Sequence, residues 1–242
     1  VFRNPSADPT DSNSKKTRTV TLIVRDVSTD STTISTLSNE YTTTINITAI
    51  NKNPVITNGR TRNIAYTEGG NGIIIGDSII IKDEDDPDTN IDSVIITIDS
   101  YALADDSLFF SSIPAGITAH YDYANANQRI TLSSDMSFDS MTLVLGTLNF
   151  KNAGINPTDF NTKTTRIVSF RVRDKSKEGL TGQWSNIITR KINITETRTA
   201  PVLSGNGNLG GFYLEGSDRV TGYLQNINLV DDSKELNMAT IR

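Results

Sequence analysis

The feature that most constrains this chain is an internal repeat with a period close to 148 residues. Residues 1–26 align with residues 149–174 without a gap, and 13 of the 26 aligned positions are identical. The alignment then resumes at a shift of 147. Its later matches are Ser38-Asn39 with Ser185-Asn186, Ile45–Thr48 with Ile192–Thr195, Pro54-Val55 with Pro201-Val202, and Glu68-Gly69 with Glu215-Gly216. Three partial copies in register predict a tandem array of modules.

The repeat predicts three parts in the chain. Residues 1–53 are the C-terminal part of one module, residues 54–200 are a complete module, and residues 201–242 are the N-terminal part of the next. Because both ends fall inside a repeat, we expect either that the chain belongs to a longer array or that its ends are completed by other copies. An old duplication within a single domain is the alternative interpretation.

Apolar and polar residues alternate along many short segments of the chain. Val20, Leu22 and Val24 share one parity, and their repeat counterparts do the same. This period of two predicts strands with one buried face. We find no amphipathic helix longer than two turns. Many short strands at regular spacing predict an all-β fold of tandem Ig-like Greek-key sandwich modules, with a closed barrel as the second choice.

One segment, Met141–Phe150, departs from simple alternation. Its apolar residues occupy odd positions through Leu145 and even positions from Leu148, and Gly146 lies between the two runs. A change of parity within a strand predicts a β-bulge or a bend at Gly146.

Composition narrows the possible partners and chemistry. The net charge is −5, and lysine and arginine are scattered while the densest charge run is acidic, which does not favour binding to nucleic acid. The chain has no cysteine, so disulfides and thiolate metal sites are excluded. No apolar run approaches the roughly 20 residues of a membrane-spanning helix.

A series of motifs runs through residues 54–200. In order they are Tyr66–Gly70, Ile79–Asp85, Ile91–Ile96, Gly116–Asp122, Ile130–Ser133, Leu145–Asn152, Thr165–Asp174 and Ala200–Leu203. In order and spacing this series resembles the cadherin-like repeats of large bacterial surface adhesins and related extracellular proteins. The resemblance implies an extracellular or cell-surface β-sandwich repeat that serves as a spacer, a stalk or an adhesive surface.

The same resemblance implies calcium at the junctions between modules. Glu68 is similar to the glutamate near the start of a cadherin module, and Asp83-Glu84-Asp85 is similar to its Asp-x-Asp loop. The linker Asn51–Pro54 matches only in part, and Arg198–Pro201 departs from the pattern. A site within one loop, or a solvated acidic turn, are the alternatives. The candidate calcium ligands are Glu68, Asp83, Asp85, Asp86, Asp88 and Asn90.

Residues for catalysis are scarce. The chain has a single histidine, His120, which is out of phase with the apolar residues around it and is expected to face solvent. Paired carboxylates could serve a glycosidase, but the acidic residues lie mainly in loops that recur between modules. The sequence therefore predicts a protein that is not an enzyme.

Two sequons for N-glycosylation occupy equivalent repeat positions. They begin at Asn46 and Asn193, and both asparagines alternate with isoleucines that are predicted to point inward. The asparagines should therefore point outward. In a eukaryotic secretory pathway both are expected to carry glycans.

Together these features predict a structural or adhesive repeat whose partners are other modules of the same chain and neighbouring copies. It would act as a membrane-tethered stalk or as a building block of a filament or appendage. The alternative is a carbohydrate-binding or accessory module of a large secreted hydrolase. An exposed aromatic platform near Trp184, Tyr121 or Tyr123 would favour that alternative.

Overall fold

The structure is a computed structural model. It describes residues 1–6, 8–11, 14–26, 36–59, 63–84, 90–100, 102–122, 128–175, 180–198, 200–205, 215 and 228–231. Within these residues the strands are β1 Thr17–Leu22, β2 Tyr41–Asn46, β3 Val55–Asn58, β4 Ile64–Thr67, β5 Ile73–Ile74, β6 Ile79–Lys82, β7 Asn90–Ser100, β8 Asp106–Phe110, β9 Thr118–Asp122, β10 Arg129–Ser137, β11 Leu148–Asn152, β12 Thr165–Asp174, β13 Ile188–Thr195, β14 Val202–Ser204 and β15 Asn228–Val230; one helix, α1, spans Phe138–Leu145. The prediction of a mainly β chain is confirmed.

Strands β3 to β13 surround one hydrophobic core. A six-stranded sheet has the order β4-β13-β12-β7-β10-β9, a three-stranded sheet has the order β5-β11-β8, and β3 pairs with β6. The core takes side chains from all three groups. Strand β12 has the alternation that the sequence predicts, since its side chains switch between buried and partly exposed at every residue from Thr165 to Asp174. Every second side chain of the strand therefore points into the core, as a period of two requires.

The first strands of this unit divide between the sheets. Strand β3 runs antiparallel to β6, whereas β4 runs parallel to β13 with Ile64 opposite Ile192 and Thr67 opposite Thr195. Asn186 fixes β3 from the side, because its amide accepts from Ile56 N at 3.0 Å and donates to Ile56 O at 2.8 Å. The second strand of residues 54–200, β4, and the last strand, β13, are therefore neighbours that run in the same direction.

The expected bulge at Gly146 is wrong, because the residues before it form helix α1. Ser137 caps the helix by accepting from Ser140 N at 3.3 Å, and Gly146 ends it by donating to Thr142 O. The buried helix residues are Phe138, Met141, Val144 and Leu145. The spacing of three and four between these residues is helical. The apolar residues at odd positions in Met141–Leu145 also fit the alternation of a strand, because the segment is too short to distinguish the two periods.

The hairpin β1–β2 has the same register as the hairpin β12–β13. Thr17 lies opposite Asn46 in the first, and Thr165 lies opposite Asn193 in the second. The turns before the two hairpins also agree: lysine N donates to threonine O at 2.7 Å in both, and the aspartate φ is 52° in one and 49° in the other. The matched turn residues are Thr10 and Thr158, Asp11 and Asp159, and Lys15 and Lys163.

A second pair of segments agrees as well. Strand β14 pairs with β15 so that Val202 lies opposite Val230, and in the pair β3–β6 Val55 lies opposite Lys82. These are the positions that the shifts of 147 and 148 residues connect. The sequence repeat is therefore matched by repeated hydrogen-bonded structure at both of its ends.

Candidate functional site

The linker before β3 is fixed to one end of the unit by side-chain amides. Asn51 Nδ2 donates to Asp174 Oδ2 at 2.8 Å and to Thr181 O at 3.2 Å. Asn53 Nδ2 donates to Trp184 O at 2.9 Å. These bonds join residues more than 120 positions apart in the sequence, so they attach residues 51–53 to the loop that connects β12 with β13.

The carboxylate of Asp174 organises this end of the fold. It is fully buried at the end of β12, where Asp174 lies opposite Ile91 of β7. Its Oδ1 accepts from Gln183 N, while its Oδ2 accepts from Asn51. A buried carboxylate needs such donors. Asp26 occupies the equivalent repeat position, and its Oδ1 accepts from Thr36 N at 2.7 Å.

Two further carboxylates at this end have altered acidity. Burial raises the pKa of Asp92, and Arg173, whose Nη1 is 3.6 Å from Asp92 Oδ2, opposes that rise. The Lys175 ammonium, 2.5 Å from Asp135 Oδ2, lowers the pKa of Asp135, and a hydrogen bond from Asn90 adds to this effect. The negative charges of Asp92 and Asp135 at this end of the unit are therefore balanced by the neighbouring cations of Arg173 and Lys175.

We expect Asn51→Ala to loosen the linker and to lower the free energy of unfolding by about 1 kcal/mol, the net value of a typical hydrogen bond. The loss follows because Asp174 then keeps fewer donors. Chemical denaturation measures the change, and amide exchange at residues 49–53 measures the loosening. Lys52→Ala is the matched control, since the exposed 3.8 Å contact of Lys52 with Glu84 contributes little. Equal losses of stability for Asn51→Ala and Lys52→Ala would contradict the role of Asn51 in fixing the linker.

The candidate calcium ligands do not form one cluster. Glu68 lies where β4 and β13 end: its Oε2 accepts from Thr197 N at 2.8 Å, and its N donates to Thr195 O. Asp83 and Asn90 lie at the opposite end, after β6 and at the start of β7. Asp85, Asp86 and Asp88 lie outside the described residues. Glu68 therefore cannot share an ion with Asp83 of the same unit.

Among the residues that the structure describes, no group of three or more histidine, cysteine, aspartate or glutamate side chains is arranged to hold a metal ion. Asp83 is buried, with 8% of its surface exposed, and Glu84 faces Lys52. A calcium site in the loop after β6 stays a prediction.

A buried ion pair was missed by the sequence analysis. Arg166 Nε donates to Asp106 Oδ2 at 2.5 Å, and both side chains are fully buried. The guanidinium also donates to three carbonyl groups, those of Pro157, Lys163 and Thr165. Asp106 accepts from Leu103 N and Asn152 Nδ2 as well. The signal for this pair was Arg18, the identical residue at the equivalent repeat position.

Trp184 and Tyr121, two of the aromatic residues considered for a carbohydrate platform, are both partly buried. Trp184 is half-buried, and the guanidinium groups of Arg171 and Arg173 lie 5.0 Å and 5.9 Å from its ring centroid. Tyr121 packs against the core, and Tyr123 lies outside the described residues. His120 is exposed on β9, the edge strand of the large sheet.

The two sequon asparagines differ in exposure. Asn46 is exposed at the end of β2. Asn193 is half-buried on β13, between Ile192 and Ile194, which are both buried. Both asparagines alternate with more buried isoleucines, and glycosylation at either one stays a prediction.

Comparison with known proteins gives little. No protein-family model matches the chain, and no curated protein matches it. Among solved structures, it is similar to a cohesin module from a family 33 glycoside hydrolase of Clostridium perfringens ATCC13124, with a TM-score of 0.33 and 10% identity over 62% of this chain and 100% of that module. Within the described residues, no helix is long and apolar enough to cross a membrane.

Proposed function

We propose that this chain is a stretch of a tandem array of Ig-like, cadherin-like β-sandwich modules that works mechanically, as an extracellular or cell-surface spacer or stalk and not as an enzyme. The observation that carries the proposal is the duplicated structure: hairpin β1–β2 repeats hairpin β12–β13, and pair β14–β15 repeats pair β3–β6. Other modules of the same chain and neighbouring copies are the partners this arrangement favours.

The parallel pair β4–β13 suits a load-bearing role. Force applied through the two ends of a module pulls its first strands and its last strand in opposite directions. Strands β4 and β13 lie side by side and run in the same direction, from Ile64 opposite Ile192 to Thr67 opposite Thr195. Their hydrogen bonds are then loaded together in shear. Forced unfolding is governed by the unfolding rate. This rate stays low in shear, because all the hydrogen bonds of the pair must break at the same time.

The junction supports an array of defined geometry. Asn51 and Asn53 attach the linker to the loop after β12, and Pro54 restricts the backbone where the next strand begins. A linker fixed by hydrogen bonds transmits force and orientation better than a free one. This supports a spacer over a set of independent beads.

We expect single-molecule pulling on the whole chain, flanked by marker domains of known length, to give one cooperative step of about 50 nm. A module of residues 54–200 releases roughly 3.6 Å per residue on full extension. The step should occur at a force well above that of a matched variant pulled through Thr67→Cys and Thr195→Cys. Those two positions are opposite each other at one end of the pair, so this geometry breaks its bonds one at a time.

The native chain has no cysteine, so the two attachment points are unique. A terminal pulling force no higher than the unzipping force would remove the mechanical proposal. Several small steps in place of one would contradict the interpretation of residues 54–200 as one complete module.

Calcium binding is part of the proposal, in the loop after β6. We expect saturating calcium to raise the melting temperature by roughly 5–10 °C, since a ligand at 100 times its Kd stabilises by about 2.7 kcal/mol. Scanning calorimetry with calcium and with chelator measures the shift. Asp83→Asn should abolish it, while Glu68→Gln, at the opposite end of the unit, should leave it unchanged. Equal melting temperatures with and without chelator would exclude the site.

A further inference from the structure

The hairpin β1–β2 with its preceding turn, residues 9–47 where described and here called the acceptor hairpin, leaves its apolar face uncovered. The exposed fractions are 44% for Val20, 57% for Leu22 and 57% for Val24. Their repeat counterparts, Val168, Phe170 and Val172, are fully buried. The two hairpins share their fold and differ in what lies against them.

The counterpart hairpin identifies the kind of segment that covers such a face. Strand β7 adds antiparallel to the outer edge of β12, and its aliphatic side chains oppose the buried row. The register pairs are Ile98 with Val168, Ile96 with Phe170, and Val94 with Val172. Shifted by 148 residues, the same strand pattern fits Val20, Leu22 and Val24 of the acceptor hairpin.

The guanidinium of Arg18 is prepared for a carboxylate. Arg18 donates to Pro9 O at 2.8 Å, Lys15 O at 2.8 Å and Thr17 O at 2.9 Å, the same three contacts that Arg166 makes at its own position. In Arg166 the remaining Nε donates to Asp106. Within the described residues, the Nε of Arg18 has no such carboxylate.

Two asparagines add further matching donors. Asn4 Oδ1 accepts from Ser6 N at 3.0 Å, as Asn152 Oδ1 accepts from Gly154 N at 2.8 Å. Asn152 uses its Nδ2 to donate to Asp106 Oδ1 at 2.8 Å, and Asn4 holds the same donor at its repeat position. The second asparagine is Asn39, the repeat counterpart of Asn186, whose side-chain amide forms hydrogen bonds with both Ile56 N and Ile56 O on β3. The polar contacts are therefore duplicated along with the apolar row.

We propose that the acceptor hairpin binds the first half of another module of this kind, a polypeptide with the pattern of residues 54–148. A strand like β7 adds antiparallel to the free edge of β1 by main-chain hydrogen bonds, and its aliphatic row covers Leu22 and its neighbours. A carboxylate equivalent to Asp106 accepts from Arg18 Nε and Asn4 Nδ2. This rests on the proposed function only in treating residues 1–53 as the second half of a module.

The test fuses a duplicate of residues 54–148 directly ahead of Val1, so that residue 148 precedes residue 1 as it precedes residue 149 in the chain. Arg171 lies opposite Ile95 in the existing module, and Ile23 is its counterpart. Ile95→Cys in the duplicate and Ile23→Cys should therefore form a disulfide under mild oxidation. Amide exchange along β1 should slow by at least about 100-fold relative to the unfused chain.

The matched control carries Val94→Asn, Ile96→Asn and Ile98→Asn in the duplicate and should leave exchange along β1 fast. Arg18→Met and Asp106→Asn in the duplicate should each reduce protection of β1, and together should reduce it by less than the sum of the two. Unchanged exchange along β1 in the intact fusion, or a disulfide that forms equally well in the control, overturns the proposal. Neither result depends on the pulling measurement, so the two proposals can fail separately.

Discussion

Arg166→Met is expected to destabilise the unit of β3 to β13 by about 3–5 kcal/mol, because it leaves a fully buried carboxylate without its cation. Asp106 would keep its bonds from Leu103 N and Asn152 Nδ2 but would lose the 2.5 Å contact with Arg166. Three carbonyl groups that now accept from the guanidinium would also lose their donor. Urea denaturation followed by circular dichroism measures the loss.

The chain supplies its own control for this substitution. Arg18, on β1, makes the three equivalent carbonyl contacts at its own repeat position, without a carboxylate on Nε in the described residues. Arg18→Met should change the stability of the unit by less than about 0.5 kcal/mol. The double substitution Arg166→Met with Asp106→Leu should recover part of the loss, because it removes the unpaired buried charge, although Leu103 N and Asn152 Nδ2 then lose their acceptor. No recovery would mean that the lost hydrogen bonds and packing, and not the unpaired charge, dominate.

Much of the fold follows from local sequence pattern. Alternation along β12 predicted its inward row, because a period of two is visible within ten residues. The repeat related the two hairpins, because both copies are present for comparison. Helix α1 was missed because its eight residues make little more than two turns, too few for its spacing to be distinguished from alternation.

The candidate site was less predictable, and the reason lies in the repeat itself. Arg166 has a counterpart in Arg18, but the segment that contains Asp106 occurs once, so comparing copies could not pair them. The partners are 60 residues apart, on β8 of the three-stranded sheet and on β12 of the six-stranded sheet, so they meet only in the tertiary fold. The resemblance to cadherin repeats made the linker Asn51–Pro54 a partial match to a calcium-binding linker, in which Asn51 would act as an oxygen donor. The structure instead uses its N–H group, which donates to Asp174.

The second large effect is expected for Phe150→Ala, at about 3–5 kcal/mol of lost stability. Phe150 is fully buried on β11, between the small sheet and the strands opposite, and its ring meets that of Tyr66 edge to face at 5.4 Å. Truncation removes this contact, worth about 0.5–1.5 kcal/mol by itself. It also leaves a cavity in a core that cannot collapse freely. Thermal denaturation of the variant measures the sum.

Phe2 is the same residue type at the equivalent repeat position, and 48% of its surface is exposed. Phe2→Ala should therefore change the stability of the unit by less than about 0.5 kcal/mol. The contrast isolates burial from residue type, since the two phenylalanines share their local sequence. In the fusion with a duplicate of residues 54–148, Phe2 should become buried, and Phe2→Ala should then cost as much as Phe150→Ala does now. If Phe2→Ala stayed neutral in that fusion, the two repeat positions would not be equivalent, and the modular interpretation would lose its physical basis.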